Sequence, residues 1–315
     1  MKLLFVADPL ESFKPAKDST LAMMDAAHKA GHQVFHGLAK TLTWEGDLVS
    51  VYATEVSVDR TQSSWFQIKD QRVIALNQFD AVLMRQDPPF DSEYLANTWL
   101  LSQAQREGAV VINNPTALRE HSEKLSITEF PHLITPTIVT RSIERIREFH
   151  KTHQDIIIKP LDGMGGMGIF RVGPDGVNLG SIVETLGDNG CRSLMVQNYL
   201  PEIVHGDKRL LLINGKPVPY VLARVPQAGD IRGNLAAGGR GEARPLTEAE
   251  TKIANELGPI LIERGLFLVG LDIIGDRLTE INVTSPTCFV EITEQTDFNV
   301  AEFWLTELEA LIARK

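Results

Sequence analysis

The sequence has little cysteine, no long apolar run and no excess of positive charge, and each absence narrows the possible functions. Only two of its 315 residues are cysteines, Cys191 and Cys288; they are far apart and outside any metal-ligand spacing, so free thiols in a reducing compartment are expected. No segment approaches the ~20 apolar residues that cross a bilayer, and the apolar run in MKLLFVADPL is too short for a signal peptide. A formal net charge of −10 argues against nucleic-acid and anionic-membrane partners. We therefore expect a cytoplasmic protein.

The glycine-rich segment 156–172, IIIKPLDGMGGMGIFRV, is the most informative stretch that is present. Gly163, Gly165 and Gly168 have the G-x-G-x-x-G spacing of a dinucleotide-binding loop, which requires a helix to open at the last glycine. Isoleucine and phenylalanine follow Gly168 instead, so we interpret the segment as a loop between two antiparallel strands. With Lys159 just before it, such a loop is suited to close over nucleotide phosphates.

The order of strand and helix patterns divides the chain into three units. Residues 1–121 alternate the two patterns, which favours a small parallel sheet with helices on its faces. Asp18 and Ser19 are N-cap candidates for the first helix, which Gly31 should end. The second unit, 122–200, contains a predicted helix over 143–153 and the strands around the glycine loop.

The third unit, 201–315, begins with the strand-like runs KRLLLIN and KPVPYVLARV. A loop rich in glycine and arginine follows over 226–245, and loops of this length in a compact domain are usually lids or disordered segments. We take 226–241 as the candidate lid. Thr247 and Glu250 then predict a helix that starts with a capping box.

The run FLVGLDIIGDRLTEINVTSP predicts a hairpin that turns at Gly275 and Asp276. Glu280 and Asn282 lie two residues apart on the second strand and share a face, and Asp272 joins them if the turn has an odd number of residues. Two carboxylates and an amide oxygen suit Mg²⁺ that bridges nucleotide phosphates. The alternative is a solvated strand face; the apolar residues between these polar ones favour a core strand and hence the metal site.

Taken in chain order, these features resemble those of an ATP-grasp ligase, and within that superfamily the chain resembles the bacterial glutathione synthetase family over essentially its whole length. The resemblance rests on five long motifs: MRQDPPFD at 84–91, IKPLDGMGG at 158–166, GDKRLLLINGKPVPY at 206–220, RGNLAAGGRGE at 232–242 and GLDIIGDRLTEINVTSPT at 270–287.

The resemblance implies a three-part ATP-grasp fold, with nucleotide bound between two antiparallel-sheet domains that follow a small parallel α/β domain. It implies that ATP converts the cysteinyl carboxylate of γ-glutamylcysteine to an acyl phosphate, which the amine of glycine then attacks. It also implies Mg²⁺ or Mn²⁺, two ions per site, and a homotetramer.

Site residues follow from the resemblance in four groups. Phosphate contacts are expected from Lys124, Lys159, Gly163, Met164, Gly165 and Gly166. Nucleoside contacts are expected from Gln197, Asn198, Tyr199, Leu200 and Asp207. Metal ions would lie on Asp272, Glu280 and Asn282. The acyl phosphate and the peptide would meet Arg209, Arg224, Arg232, Arg85, Asn234, Ser285 and Thr287.

A lone arginine is usually a solvated surface residue. We prefer a site role for Arg209 and Arg224 because each lies in a strand-like run beside the predicted metal segment.

Three functions are compatible with this reading. The first is a glutathione-forming ligase, and the second is an ATP-grasp ligase for another substrate, such as D-alanine or a protein that receives glutamate. The third is a non-catalytic ATP-binding module. The carboxylates at Asp272 and Glu280 disfavour the third, and the substrate-side motifs at 84–91 and 232–242 disfavour the second.

Overall fold

The computed structural model describes residues 1–235 and 238–314, and the strands within them form three sheets. The strands are β1 Lys2–Val6, β2 Gln33–Gly37, β3 Thr43–Glu45, β4 Leu48–Val58, β5 Phe66–Ala75, β6 Ala81–Met84, β7 Val111–Ile112, β8 Thr137–Thr140, β9 Ile156–Pro160, β10 Phe170–Val172, β11 Leu194–Asn198, β12 Asp207–Ile213, β13 Lys216–Val225, β14 Arg240–Pro245, β15 Leu268–Ile274 and β16 Arg277–Asn282. The α-helices are α1 Ser19–Lys29, α2 Ser92–Arg106, α3 Pro115–Glu120, α4 Ile143–His153, α5 Leu179–Leu186, α6 Glu248–Glu263, α7 Phe289–Gln295 and α8 Val300–Ile312. None of these helices has both the length and the apolar character needed to cross a membrane.

Three helix starts predicted from the sequence are confirmed. The Asp18 carboxylate accepts a hydrogen bond from the Leu21 backbone N–H at 2.8 Å and caps α1. Helix α4 occupies the predicted residues 143–153. At α6, both bonds of the predicted capping box between Thr247 and Glu250 are present. Local side-chain chemistry therefore determines where these helices begin.

The first sheet has a parallel centre, as predicted, in the order β2-β1-β6-β7. The chain between β2 and β6, for which no structure was predicted, adds the antiparallel strands β3, β4 and β5 on the β2 side. Asp8 and Arg85 follow the carboxyl ends of β1 and β6. In open parallel sheets, ligands bind beyond the carboxyl ends of the strands. We therefore expect a site at the sheet edge where Asp8 and Arg85 lie.

The second sheet is antiparallel, in the order β10-β9-β11-β8, and α4 and α5 contact it. Its separate apolar core includes Ile146, Ile158 and Val196, each fully buried. Strands β9 and β10 pair directly, with Ile158 opposite Phe170. The glycine-rich segment therefore connects two antiparallel strands, as predicted, and no helix opens at Gly168.

The third sheet is antiparallel, in the order β14-β13-β12-β15-β16. The predicted β15–β16 hairpin turns at Gly275 and Asp276, but this turn has two residues and so does not meet the condition, an odd number of turn residues, under which Asp272 would join Glu280. A β-bulge at Thr279 supplies the extra residue instead, so that Asp272 lies opposite Glu280. The predicted loop 226–245 is also shorter than expected, because its last six residues form β14.

Asn113, at the end of β7, joins the first sheet to the third. Its side-chain amide donates to the carbonyl oxygens of Leu268 (2.8 Å) and Val283 (2.9 Å), and its amide oxygen accepts from the Leu268 N–H (2.9 Å). The residue is 5% exposed. These bonds satisfy backbone groups that water does not reach.

We expect Asn113→Ala to lower the free energy of unfolding by about 3 kcal/mol, because it leaves buried backbone groups without partners. Chemical denaturation measures this change. The control Asn77→Ala removes one bond, to the Glu107 carbonyl at 3.2 Å on an exposed surface, and should cost less than about 0.5 kcal/mol. Equal losses in the two variants would show that Asn113 does not have this joining role.

Candidate active site

A cavity of about 310 Å³ is lined by residues of 122–200 and 201–315, which contain the second and third sheets, and by Asp87 and Pro88, which follow β6 of the first sheet. All the predicted site residues except Arg85 line it: Lys124, Lys159, Gly163, Met164, Gly165, Gly166, Gln197, Asn198, Tyr199, Leu200, Asp207, Arg209, Arg224, Arg232, Asn234, Asp272, Glu280, Asn282, Ser285 and Thr287. These residues are spread over more than 160 positions of sequence. The cavity is in the size range of small-molecule sites.

Arg85 lies beneath the cavity wall. Its guanidinium donates to the Thr20 hydroxyl at 3.1 Å and to the Pro286 carbonyl at 2.9 Å, and the residue is 5% exposed. Pro286 lies between Ser285 and Thr287, two predicted substrate contacts. Arg85 therefore supports the segment that carries these residues.

A buried ion-pair network on β12, β13 and β15 forms the floor of the cavity. Asp272 receives a two-point contact from Arg209, at 2.6 Å and 3.1 Å, and Arg224 contacts its Oδ2 at 3.0 Å. Burial alone would raise the pKa of Asp272, but the two guanidinium groups outweigh burial and hold this pKa below its ordinary value. Asp272 is therefore a permanent anion that orients both arginines.

Asp207 is a second buried carboxylate on this floor, with its Oδ2 2.5 Å from Arg224 Nη2. Burial raises the pKa of Asp207 to about 6; Arg224 opposes this rise, and the nearby charges of Asp272 and Glu280 add to it. Its Oδ1 is buried and has no hydrogen-bond partner in the described part of the chain. An oxygen of this kind can accept a hydrogen bond from a hydroxyl group of a ligand.

Two lysines converge on Glu280 from the second unit. Lys124 Nζ is 3.4 Å and Lys159 Nζ is 3.7 Å from Glu280 Oε1. Lys124 also donates to the Gly163 carbonyl at 2.5 Å, and Lys159 to the Thr279 carbonyl at 3.3 Å. Burial lowers the pKa of Lys159, although the charge of Glu280 works in the opposite direction. The two ammonium groups provide point charges suited to phosphate oxygens.

Residues 163–168, here called the flap, cover one side of the cavity. Gly166 has a φ of +83°, which side chains disfavour, and a Cβ built on it would lie 2.7 Å from Asn234 Oδ1. The flap thus touches the lid, whose residues Arg232 and Asn234 line the cavity. The Arg232 guanidinium is bound by Asp230 at 2.7–3.2 Å. Ala236 and Ala237, which belong to the predicted lid, lie outside the described residues.

The predicted nucleoside residues 197–200 line one end of the cavity. Ile157, Ile203 and Ile274 also line the cavity and contribute apolar surface that the sequence analysis did not assign to the site. The ring of Tyr199 is held by a cation–π contact with Arg171, which does not line the cavity and whose guanidinium lies 3.8 Å from the ring centroid. An apolar slot edged by amides suits a purine base.

The metal donors predicted on β15 and β16 form a partial set. Asp272 is engaged by two arginines, Glu280 has a side chain that is 20% exposed, and the Asn282 amide nitrogen donates to Gly270, which leaves its oxygen for a ligand. Across 1–235 and 238–314, no cluster of three His, Cys, Asp or Glu residues could hold an ion. The donors fit Mg²⁺, which usually binds one or two carboxylates together with substrate phosphates.

Glu123 and Thr284 are among the polar residues of the wall that were not predicted. Glu123 directly precedes the predicted lysine, Lys124, but its side chain contacts Val283, which follows β16 and is 160 residues further along the chain. No local sequence pattern signals such a contact. The isoleucines of the wall were missed for another reason, since apolar residues are usually part of the core.

Solved structures with a similar fold define the class. A D-cycloserine synthetase, DcsG, has a TM-score of 0.70 at 17% identity, with 98% of this chain and 99% of that chain covered. The ATP-grasp ligase PsnB, in complex with precursor peptide PsnA2 and AMPPNP, has a TM-score of 0.64 at 17% identity, with 99% and 98% covered. The fold is that of the ATP-grasp class.

Sequence relatives identify the family within this class. The model of the prokaryotic glutathione synthetase N-terminal domain matches residues 1–119, and that of the ATP-grasp domain matches 123–297. Glutathione synthetase from Ralstonia nicotianae is 56% identical over 98% of this chain and 95% of that protein. The enzyme from Nitrosomonas europaea is 52% identical over 100% and 99%. The chain belongs to the prokaryotic glutathione synthetase family.

The raised pKa of Asp207 predicts a pH dependence of stability. The folded state binds the carboxyl proton of Asp207 more tightly than the unfolded chain does. The contribution of this group to the free energy of unfolding is therefore fully present below about pH 4. It is lost as the pH rises through about 6. We expect the stability of the wild type relative to Asp207→Asn to decrease from pH 4 to pH 7 in chemical denaturation. A relative stability that increases over this range would mean that pairing with Arg224 outweighs burial.

Proposed function

We propose that this chain ligates γ-L-glutamyl-L-cysteine and glycine to form glutathione, with ATP converted to ADP and phosphate. The family match over nearly the whole chain carries this proposal, because the relatives that match over 95% or more of their own length are glutathione synthetases. The cavity supports it, since buried cations, a glycine flap and an apolar slot surround one volume of small-molecule size.

The geometry supports an acyl-phosphate mechanism. A carboxylate oxygen of the cysteinyl residue attacks the γ-phosphorus of ATP, the bond to the β-phosphate oxygen breaks, and ADP leaves. The glycine amine then attacks the acyl carbon, the carbon–oxygen bond to phosphate breaks, and inorganic phosphate departs as the amine loses its proton. Such phosphoryl transfer depends chiefly on positioning and on neutralisation of charge.

We assign the phosphates to Lys124, Lys159 and the backbone N–H groups of the flap, since both ammonium groups are buried and face the cavity. Gln197 to Leu200 would hold the base, and Asp207 Oδ1 would accept from the ribose. Mg²⁺ or Mn²⁺, two ions per site, would be held by Asp272, Glu280 and Asn282, where it would screen phosphate charge.

We assign stabilisation of the acyl phosphate to Arg209 and Arg224, because Asp272 fixes both guanidinium groups at the cavity floor. A planar fork suits the oxygens of a phosphoryl group. Arg232 shares this role from the lid, and Asn234, Ser285 and Thr287 would contact the peptide. Arg85 would act on the peptide through the 285–287 segment that it supports.

Further features of the protein are also proposals. We propose domains at 1–121, 122–200 and 201–315, each of which contains one of the three sheets. A cytoplasmic location and a homotetramer are proposed from the sequence and from the family resemblance.

ADP release tests the proposed reaction. We expect release with γ-glutamylcysteine, glycine and Mg²⁺ together, and a loss of more than about tenfold when any one of them is omitted. N-acetylglycine, which has no free amine, should fail to replace glycine. Turnover that does not require γ-glutamylcysteine would contradict the proposal, and turnover with a D-alanine pair would favour another ATP-grasp ligase. If no acceptor supported any release of ADP, a non-catalytic ATP-binding module would be favoured.

A further inference from the structure

Glu123 faces the unpaired edge of β16, the strand that carries Glu280 and Asn282. Strand β16 pairs with β15 on one side only and is the last strand of its sheet. On the other side, the Glu123 backbone carbonyl accepts a hydrogen bond from the Ile281 N–H at 2.9 Å. Its backbone thus takes the place of the next strand at this point.

The carboxylate of Glu123 continues this contact beyond the end of the strand. Its Oε1 accepts from the N–H groups of Val283 (3.0 Å) and Thr284 (3.1 Å) and from the Thr284 hydroxyl (2.8 Å). In the described part of the chain, no lysine, arginine or histidine nitrogen forms an ion pair with this carboxylate. The negative charge of Glu123 therefore interacts mainly with residues 283–284. Hydrogen bonds to a charged acceptor are stronger than those to a neutral one.

The next residue along the chain is Lys124, one of the two lysines at the cavity. Its Nζ lies 3.4 Å from Glu280 Oε1 and donates to the flap at the Gly163 carbonyl. Contacts consequently form a closed ring that runs from Glu123 to Lys124, to Glu280, along the strand to Val283, and back to Glu123. A shift of one member changes the position of the others.

We propose that Glu123 is a positioning residue that sets the distance between the Lys124 ammonium group and the Glu280 and Asn282 side chains. It acts through the backbone of 281–284 and not through contact with the reacting atoms. This inference rests on the proposed function where it is tested by turnover, because kcat is measured for the proposed reaction. Displacements of about 1 Å in such sites can reduce rates by about 10².

Glu123→Gln tests the role with little change of shape, since the amide keeps an acceptor oxygen but loses the charge. We expect kcat to fall by roughly tenfold to 10², with the KM for γ-glutamylcysteine changed less than about threefold. Glu129→Gln is the matched control, because Glu129 lies in the 3-10 helix that follows Lys124 and pairs with Arg264 away from the cavity. This control should keep wild-type turnover.

Thr284→Val removes one of the three donors to the carboxylate and should give a smaller loss of kcat. The double variant Glu123→Gln/Thr284→Val should lose less than the product of the two single losses, because both changes disrupt the same contact. Independent effects that multiply would contradict a shared positioning role.

Binding of ADP with Mg²⁺, measured by calorimetry without peptide, separates this inference from the proposed reaction. We expect the Kd for ADP to rise by about tenfold in Glu123→Gln, as displacement of Lys124 weakens a phosphate contact, and to stay constant in Glu129→Gln. If the wild type failed to make glutathione, the proposed function would be wrong. The change in the Kd for ADP would still decide whether Glu123 positions Lys124. Wild-type kcat and Kd in Glu123→Gln would overturn the inference. A loss of activity that matched a loss of folded protein, judged by Tm, would also overturn it.

Discussion

The Asp272 carboxylate, held between Arg209 and Arg224, is the interaction on which the rest of the site depends. All three groups are at most 6% exposed, and removal of one partner from such a buried network typically costs about 3–5 kcal/mol. The network is therefore part of the third sheet as well as of the cavity. It keeps two guanidinium groups directed at one place before any ligand arrives, so the arrangement needs little reorganisation when phosphate charge develops.

The register of β15 and β16 connects this network to the residues that are proposed to hold the metal ions. Asp272 faces Glu280 only because Thr279 is bulged out of the ladder between them. From the sequence, this alignment required an odd number of residues, which was sought only in the turn. Gly275 and Asp276 are compatible with a turn of either length, whereas the bulge depends on how Thr279 packs, at 8% exposure, in the finished sheet. Local patterns do not contain that information.

Elements with strong local signals were predicted well. Helix α4 and the capping box of α6 depend on side chains within one turn of the helix start. The flap was interpreted correctly as a strand connection because the residues after Gly168 disfavour a helix. In contrast, β5 alternates weakly and exposes much of its length, and β14 has the composition of a loop, RGEARP. Pairing with neighbouring strands determines both.

The candidate site shows the same division. The site residues could be assigned through the family resemblance, and all of those predicted except Arg85 line one cavity. Glu123 could not be assigned, because its partners at Val283 and Thr284 are distant in sequence. The isoleucines of the slot have the same appearance in sequence as core residues. Contacts between distant segments, and the cavity that they leave, are properties of the assembled fold.

Transfer of oxygen from the peptide to phosphate tests the central claim most directly, since it follows the reacting atoms. γ-Glutamylcysteine with both cysteinyl carboxylate oxygens labelled with ¹⁸O would be turned over with unlabelled ATP and glycine. Mass spectrometry of the released phosphate should then find one ¹⁸O per molecule, because the oxygen that attacks the γ-phosphorus leaves with it. Phosphate without label would mean that water, not the peptide carboxylate, receives the phosphoryl group, and would contradict the account.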